Sequence, residues 1–588
     1  MKRWYKYIKP YLSSFILGPI CMIIEVIGEV VMPILFAQVI NGLTGAESDS
    51  FIPLPIPDTL GVMGAMILVA ILMMAGGIGG AYFGAKASVG FATDLRQDAY
   101  LAVQRYSFAN IDKFSTGSLV TRLTNDVTQM QNFVNMLLRM ALRTPGIMIG
   151  ALIMAISLNP PLSVVLAVTI PLMIITVGAV IVKGFPLFRK MQTRLDELNA
   201  TVQENITNVR VVKSFVREEH EESKFHVANN NMREAGFQTM KLMIHMEPII
   251  SLFMYLTTLA VIWLGADRVI SHGMLPGDLS AFMIYVTQIL SSLMMVTMLL
   301  MMVSRSSASA KRLREVLEEV PDIRDDAADS ALVVRRGEIE FRDVSFRYYK
   351  NSEEPVLDRI SLHIAAGETV GIIGSTGCGK TTLISMITRL YDPDEGQVLV
   401  DGVDVKAYSL RHLRDGIGVV LQKNTLFSGT IAENLRWGNE DATDEEMIEA
   451  ATHAQAHKFV VSFPDGYETI LEQGGKNVSG GQKQRLCIAR ALLKKPRVLI
   501  LDDSTSAVDT ATEAQIRQAL RESLGDTTKI IIAQRITSVM DADKIIVMND
   551  GAITGIGTHA ELLATNEDYL DICRSQGRGE EGQYDSQS

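Results

Sequence analysis

The stretch GSTGCGKTT, Gly374 to Thr382, follows the apolar run Thr369 to Ile373 and opens a second apolar stretch, Leu383 to Leu390. A short buried strand, a glycine-rich turn and a helix, in that order, are the parts of a P-loop. Gly374, Gly377 and Gly379 let backbone N–H groups converge on phosphate oxygens, and the positive end of the helix dipole favours the same negative charge. In such a loop the Lys380 ammonium reaches the β- and γ-phosphates, and the Thr381 hydroxyl is a Mg²⁺ ligand. Ser375, Thr376, Cys378 and Thr382 complete the cradle. The motif predicts a bound nucleoside triphosphate and is silent about its use.

Downstream, VSGGQ (Val478 to Gln482) places Ser479 99 residues after Lys380, and the buried-strand pattern Val498 to Leu501 ends in Asp502 and Asp503. This order resembles the ATP-binding cassette (ABC) family, in which a signature motif, a Walker B strand and a D-loop follow the P-loop. The resemblance makes Tyr348 the adenine-stacking aromatic, Gln422 the Q-loop glutamine, Ser506 to Asp509 the D-loop and position 534 the switch. It implies ATP and Mg²⁺ as ligands, with Thr381, Gln422 and Asp502 around the metal and Asp503, Gln534 and Gln422 at the catalytic positions. Ser479, Gly480, Gly481 and Gln482 would form a second phosphate cradle at another helix N-terminus. In the family that cradle caps the γ-phosphate of ATP held by the opposite subunit, so one cassette completes neither site.

Upstream, the 588 residues are 48% hydrophobic although 21% are charged, a high apolar share for a soluble chain. Six apolar runs account for it: Leu12 to Leu43, Leu60 to Ala81, Arg143 to Leu158, Leu162 to Val182, Pro248 to Ala266 and Leu279 to Val303. The Arg143 run is short and is expected to begin earlier; the others reach about the 20 residues that cross a bilayer core. Asn159-Pro160-Pro161 joins the third and fourth by a tight turn.

Lys2, Arg3, Lys6 and Lys9 precede the first span, and the connectors Lys86 to Gln131 and Lys183 to His245 are rich in Lys and Arg. The positive-inside rule therefore puts both termini and both connectors in the cytoplasm. MKRWYKYIKPY reads as an interfacial helix, and no cleavable signal is expected. Six spans, two long connectors and a C-terminal cassette resemble an exporter-type half-transporter. That implies a polytopic α-helical membrane domain fused to an α/β P-loop cassette, in a bacterial plasma membrane. The expected boundaries are 1–318 for the membrane domain, 319–336 for a linker, 337–575 for the cassette and 576–588 for a disordered tail. Phe108 to Val127 and Glu204 to Glu221 resemble coupling elements; in the family the first touches its own cassette and the second the partner's.

One mismatch qualifies the resemblance. Active cassettes carry Glu after the Walker B aspartate and His at the switch, whereas this chain has Asp503 and Gln534. The aspartate carboxylate sits about one C–C bond, roughly 1.5 Å, short of the attacking water, and Gln534 carries no positive charge. The pattern resembles the degenerate-site subunit of heterodimeric multidrug exporters. It implies a partner half-transporter with intact Glu and His, whose competent site is completed by Ser479 to Gln482. A weakly active homodimer, a lipid or peptide flippase, and an ATP-gated channel or regulatory subunit are the alternatives.

Glu25 and Glu29, one helical turn apart in the first span, are candidate contacts for cationic amphiphiles or partners of Arg139 or Arg143. Intramembrane carboxylates face a cavity or a counter-charge. Six methionines in the sixth span, Met283, Met294, Met295, Met298, Met301 and Met302, suit an adaptable ligand surface and ordinary helix packing alike. The four cysteines, Cys21, Cys378, Cys487 and Cys573, show no metal spacing, and the net charge of −11 with no continuous basic face argues against nucleic acid as a partner.

Overall fold

The computed structural model describes residues 2–44, 59–325, 328–350, 352–503 and 509–584. The chain divides into two compact units: residues 1–104 with 117–318, and residues 105–116 with 319–588.

Among the described residues of the first unit six helical spans are long and apolar enough to cross a membrane: Trp4–Thr44, Thr59–Gln104, Thr116–Leu158, Pro160–Thr207, Glu218–Ile270 and Pro276–Val296. The third begins well before Arg143, as its short apolar run requires. Asn159 starts the fourth: its side chain accepts the Leu162 N–H at 3.0 Å and prolines occupy the first turn, where a missing N–H costs nothing. Most apolar side chains on the spans point outward, among them Ile67, Leu68, Ile71 and Leu72. A helix that is apolar all round fits a lipid surrounding. Close approach of the first two spans rests on Gly76 and Gly80, spaced by four on one face; a Cβ at Gly76 would lie 2.8 Å from the Cys21 carbonyl oxygen and one at Gly80 would clash with Met22. Small residues at this spacing are how membrane helices gain packing without a hydrophobic driving force. Tyr285, Phe282, Ile289 and Leu290 of the last span form the buried centre with Ile34, Leu166 and Met173. Along the first connector the helix widens to a π-turn at Arg122–Asp126. Asp126, 2% exposed, accepts from Ser309 at 2.8 Å and from Arg312 Nε at 2.7 Å. A buried carboxylate needs such donors.

The second unit carries a six-stranded sheet in the order Ala552–Gly557, Lys544–Asn549, Thr369–Gly374, Thr528–Ile532, Val498–Asp502, Ile417–Val420. All neighbours are parallel except the edge hairpin of the first two. Val498–Asp502 is buried at every position, as a strand covered on both faces must be. Antiparallel pairing of Leu357–Ile364, Ile339–Phe346, Glu395–Val400 and Val403–Asp404 makes a second sheet. The helices Ile431–Arg436, Asp444–His453 and Gly480–Leu493 close over a separate apolar cluster that includes Leu435, Ala451 and Leu486.

Two features differ from the expected boundaries. Residues 105–116, the tip of the first connector, group with the cassette. The last helix, Glu567–Tyr584, runs through most of the segment expected to be a disordered tail. Tyr569, fully buried, with Ile572 and Cys573, anchors its first turns. The D-loop positions 506–508 lie outside the described residues.

Candidate nucleotide site

Parallel strands point their carboxyl ends one way, and ligands bind beyond those ends. Thr369–Gly374 runs into the P-loop, Val498–Asp502 into Asp503, and Thr528–Ile532 toward Gln534, so register alone gathers three distant segments. A cavity of about 380 Å³ is lined there by Tyr348, Thr376, Gly377, Lys380, Thr381 and Thr382, and on its far wall by Gln422, Asp502, Asp503 and Gln534.

Gly377 and Gly379 have φ of 90° and 94°, left-handed values that a Cβ would strain. At Gly379 a Cβ would also meet Leu357 Cδ2 at 2.7 Å. Lys380 Nζ folds over the loop and donates to the carbonyls of Gly374 and Ser375 at 2.8 and 2.7 Å. Thr381 Oγ1 donates to Asp502 Oδ2 at 3.0 Å. A hydroxyl and a carboxylate this close, beside a phosphate cradle, fit Mg²⁺ and its preference for oxygen ligands and phosphate. Burial pushes the Asp502 carboxyl above the ordinary range, with the Thr381 hydroxyl pulling it back.

Beyond Asp502 the backbone turns sharply. Asp503 has φ +47°, and its N–H donates to the Ile532 carbonyl at 2.9 Å. Its carboxylate Oδ2 accepts from Gln534 Nε2 at 3.0 Å and from Gln422 Nε2 at 3.4 Å. The two positions singled out by the mismatch, together with Gln422, thus form one hydrogen-bonded cluster. At the other end of the cavity Tyr348, 44% exposed, keeps an open ring face, and its hydroxyl shares a 2.9 Å hydrogen bond with Thr382 Oγ1.

Ser479 to Gln482 do not line this cavity. They open the helix Gly480–Leu493 through a capping box: Gln482 N–H donates to Ser479 Oγ at 3.3 Å and Ser479 N–H to Gln482 Oε1 at 2.9 Å. Their remaining amides form an anion-ready helix terminus.

Some contributors carried no motif. Gln576, on the last helix, accepts the Ile536 N–H at 2.9 Å and donates to the Gln534 carbonyl at 2.8 Å, clamping the backbone around the switch. Gln484, 1% exposed, donates to the Asp503 carbonyl at 3.4 Å. Both are long-range contacts with no spacing to announce them.

In the first unit Glu25 and Glu29 both face Arg143: Arg143 Nε lies 3.4 Å from Glu25 Oε1, and a guanidinium nitrogen pairs with Glu29. Gln288 of the last span donates to the Glu29 carbonyl at 3.1 Å. Arg139 instead packs its stem near Gly84.

Comparison with known proteins agrees with this construction. Residues 15–293 match the ABC transporter transmembrane region and residues 357–506 match the ABC transporter family. An uncharacterised ABC transporter ATP-binding protein of Bacillus subtilis, YfiB, is 38% identical over 98% of both chains. A fatty acid ABC transporter ATP-binding/permease protein of Mycobacterium tuberculosis is 35% identical over 82% of this chain and 76% of its own length. An ATP-dependent lipid A-core flippase of Syntrophus aciditrophicus is 31% identical over 98% of this chain and 94% of its own. A bacterial Atm1-family ABC exporter with ATP bound superposes with a TM-score of 0.74 at 24% identity, covering 97% of this chain and 98% of that one, and shows the same fold. With six apolar spans and one ATP- and Mg²⁺-binding cassette in a single polypeptide, the chain belongs to the ABC transporters, as a multi-pass exporter half-transporter whose ATPase is coupled to transport.

Proposed function

We propose that this chain is the slow-site subunit of a heterodimeric exporter of amphiphilic compounds. The observation that carries the reading is the Asp503–Gln534–Gln422 cluster, in which a short carboxylate is held by neutral amides. A general base must reach the proton it removes. Asp503 is one methylene short of the family's glutamate, and a neutral switch amide offers the γ-phosphate a hydrogen bond without charge.

On this reading Tyr348 stacks the adenine, Lys380 and the amides of Gly374 to Thr382 hold the phosphates, and Thr381, Asp502 and Gln422 hold Mg²⁺. Asp503 positions water poorly, so ATP stays long at this chain's own site. Ser479 to Gln482 instead complete the partner's site, where glutamate and histidine act. Closure of the cassettes on two ATP molecules opens the membrane cavity outward, and hydrolysis at the partner's site resets it. The basic N-terminus and connectors support a cytoplasmic position for the cassette and both termini.

The cargo meets Glu25 and Glu29. Two carboxylates share Arg143, which leaves the group one negative charge in excess and suits a cationic head on an apolar body. A lipid flippase is the second reading, favoured by the fatty-acid and lipid A names of two relatives.

The subunit assignment is tested by two substitutions in the purified two-chain complex. Ser479→Arg abolishes ATP hydrolysis, whereas Asp503→Asn barely changes it; equal damage from both overturns the assignment.

A further inference from the structure

Tyr391 follows the P-loop helix and belongs to none of the nucleotide motifs. Its ring stands edge-on to Tyr348, with centroids 5.2 Å apart and planes at 90°. On its other side it packs against Phe108 at 6.2 Å, and its hydroxyl donates to Asp112 Oδ2 at 2.7 Å. Phe108 and Asp112 lie on the short helix Phe108–Lys113 at the tip of the first connector. Burial and the Asp112 carboxylate both push the Tyr391 hydroxyl well above the ordinary phenol range, so it remains a donor at any physiological pH.

The tip is otherwise held at its ends. Asn110 closes a capping box with Ser107 and donates to Glu319 at 3.0 Å, and Lys113 pairs with Glu319 at 2.7 Å. Neither contact touches the nucleotide cavity. Tyr391 therefore provides a two-contact path from the cavity wall to the connector; it starts at the ring of Tyr348, whose open face is the base seat and whose hydroxyl alone reaches the phosphate cradle, at Thr382.

We infer that Tyr391 is a positioning residue through which the first connector senses the purine base of the bound nucleotide, separately from its phosphates. The inference rests on Tyr348 as the base seat. A base lying on the open face of Tyr348 restricts that ring, and the restricted ring fixes the edge of Tyr391 and the direction of its hydroxyl. A triphosphate without a base fills the P-loop but reaches this path only through the Thr382 hydroxyl and leaves the face of the Tyr348 ring unrestricted. Coupling of this kind is reciprocal: a connector pulled from Asp112 loosens the base as much as the base steadies the connector.

Hydrogen exchange on the full-length chain in lipid nanodiscs tests it. Mg²⁺ with ATP is compared with Mg²⁺ with inorganic triphosphate, each at a concentration that protects the amides of Gly374 to Thr382 equally. In the wild type, ATP slows exchange across 106–116 by about threefold or more relative to triphosphate, a local-stability difference of the kind exchange resolves. Tyr391→Phe keeps the ring and the P-loop protection but removes that difference, and Asp112→Asn reduces it. Equal exchange with the two ligands in the wild type, or a difference that survives Tyr391→Phe, overturns the inference. Tyr348→Ala separates the two levels. Loss of ATP affinity relative to triphosphate in that variant, with the wild-type difference absent, overturns the path alone; unchanged affinity overturns the base seat and the path together.

Discussion

Lengthening one side chain tests the slow site most directly. In Asp503→Glu the carboxylate advances by one C–C bond, about 1.5 Å, past the Gln534 and Gln422 amides that hold it at 3.0 and 3.4 Å. Restoring a placed base is worth about 10²- to 10⁴-fold in turnover, or about 3–5 kcal/mol of barrier at 1.36 kcal/mol per decade. Position 503 has φ +47°, and a residue other than Gly, Asn or Asp in that region costs about 1–2 kcal/mol, a cost that falls on fold stability and not on the barrier. The expectation is a gain of about 10²- to 10⁴-fold in kcat, larger when Gln534→His is added. KM for ATP stays near the wild-type value, because the P-loop and Tyr348 are untouched. The assay is Mg²⁺-dependent phosphate release by the purified chain at concentrations where it self-associates, each P-loop then facing an intact Ser479 to Gln482. A wild-type rate within about threefold of the double variant's, where a placed base predicts far more, refutes the reasoning: Asp503 and Gln534 would then suffice.

Three further outcomes are expected. Arg143→Met strands Glu25 and Glu29 without their shared guanidinium and destabilises the membrane unit by about 3–5 kcal/mol, read as a lowered midpoint in thermal unfolding; Glu25→Gln with Glu29→Gln in the same chain restores most of it, and lowers export of cationic dyes more than neutral ones. Gln576→Ala frees the backbone on both sides of Gln534, so amide exchange at 534–536 quickens while that of Gly374 to Thr382 is unchanged; no change at 534–536 removes the clamp. The third concerns pH. The Lys113 hydrogen bond, against some burial and with help from Asn110, holds Glu319 below the ordinary glutamate value of 4.5. A carboxyl depressed on folding stabilises fully above its unfolded value and loses that contribution as pH falls through its folded one. Protection of the Phe108–Lys113 amides is therefore flat above pH of about 5 and declines below it, and in Glu319→Gln the decline disappears.

Much of this protein was legible in the chain because its constraints are local or periodic. A P-loop needs left-handed glycines within nine residues, and the positive φ of Gly377 and Gly379 is the backbone expression of that need. Spans announce themselves by unbroken apolar length, since lipid permits no unsatisfied backbone; the third one reads short because polar residues of its first half and Arg139 and Arg143 interrupt it, Arg143 to meet the first span. The Asp502–Asp503 pair followed from its position at the end of a buried strand.

What only the tertiary structure decided are the contacts between segments far apart in sequence. Sheet order brought Asp503 and Gln534 within one hydrogen bond, although 31 residues separate them. Among the partners considered for Glu25 and Glu29, packing selected Arg143 and left Arg139 with its stem against Gly84. The helical course of Glu567–Tyr584 escaped a reading by composition, because burial of Tyr569 anchors the first turns of a helix that the glycines and charges alone do not favour. Gln576 and Tyr391 carry no motif, and their roles come from a backbone clamp and an edge-on ring contact across 42 and 43 residues. Local chemistry is written in residue type and spacing, whereas which side chain meets which across the fold depends on strand register and helix packing, which no window of sequence contains.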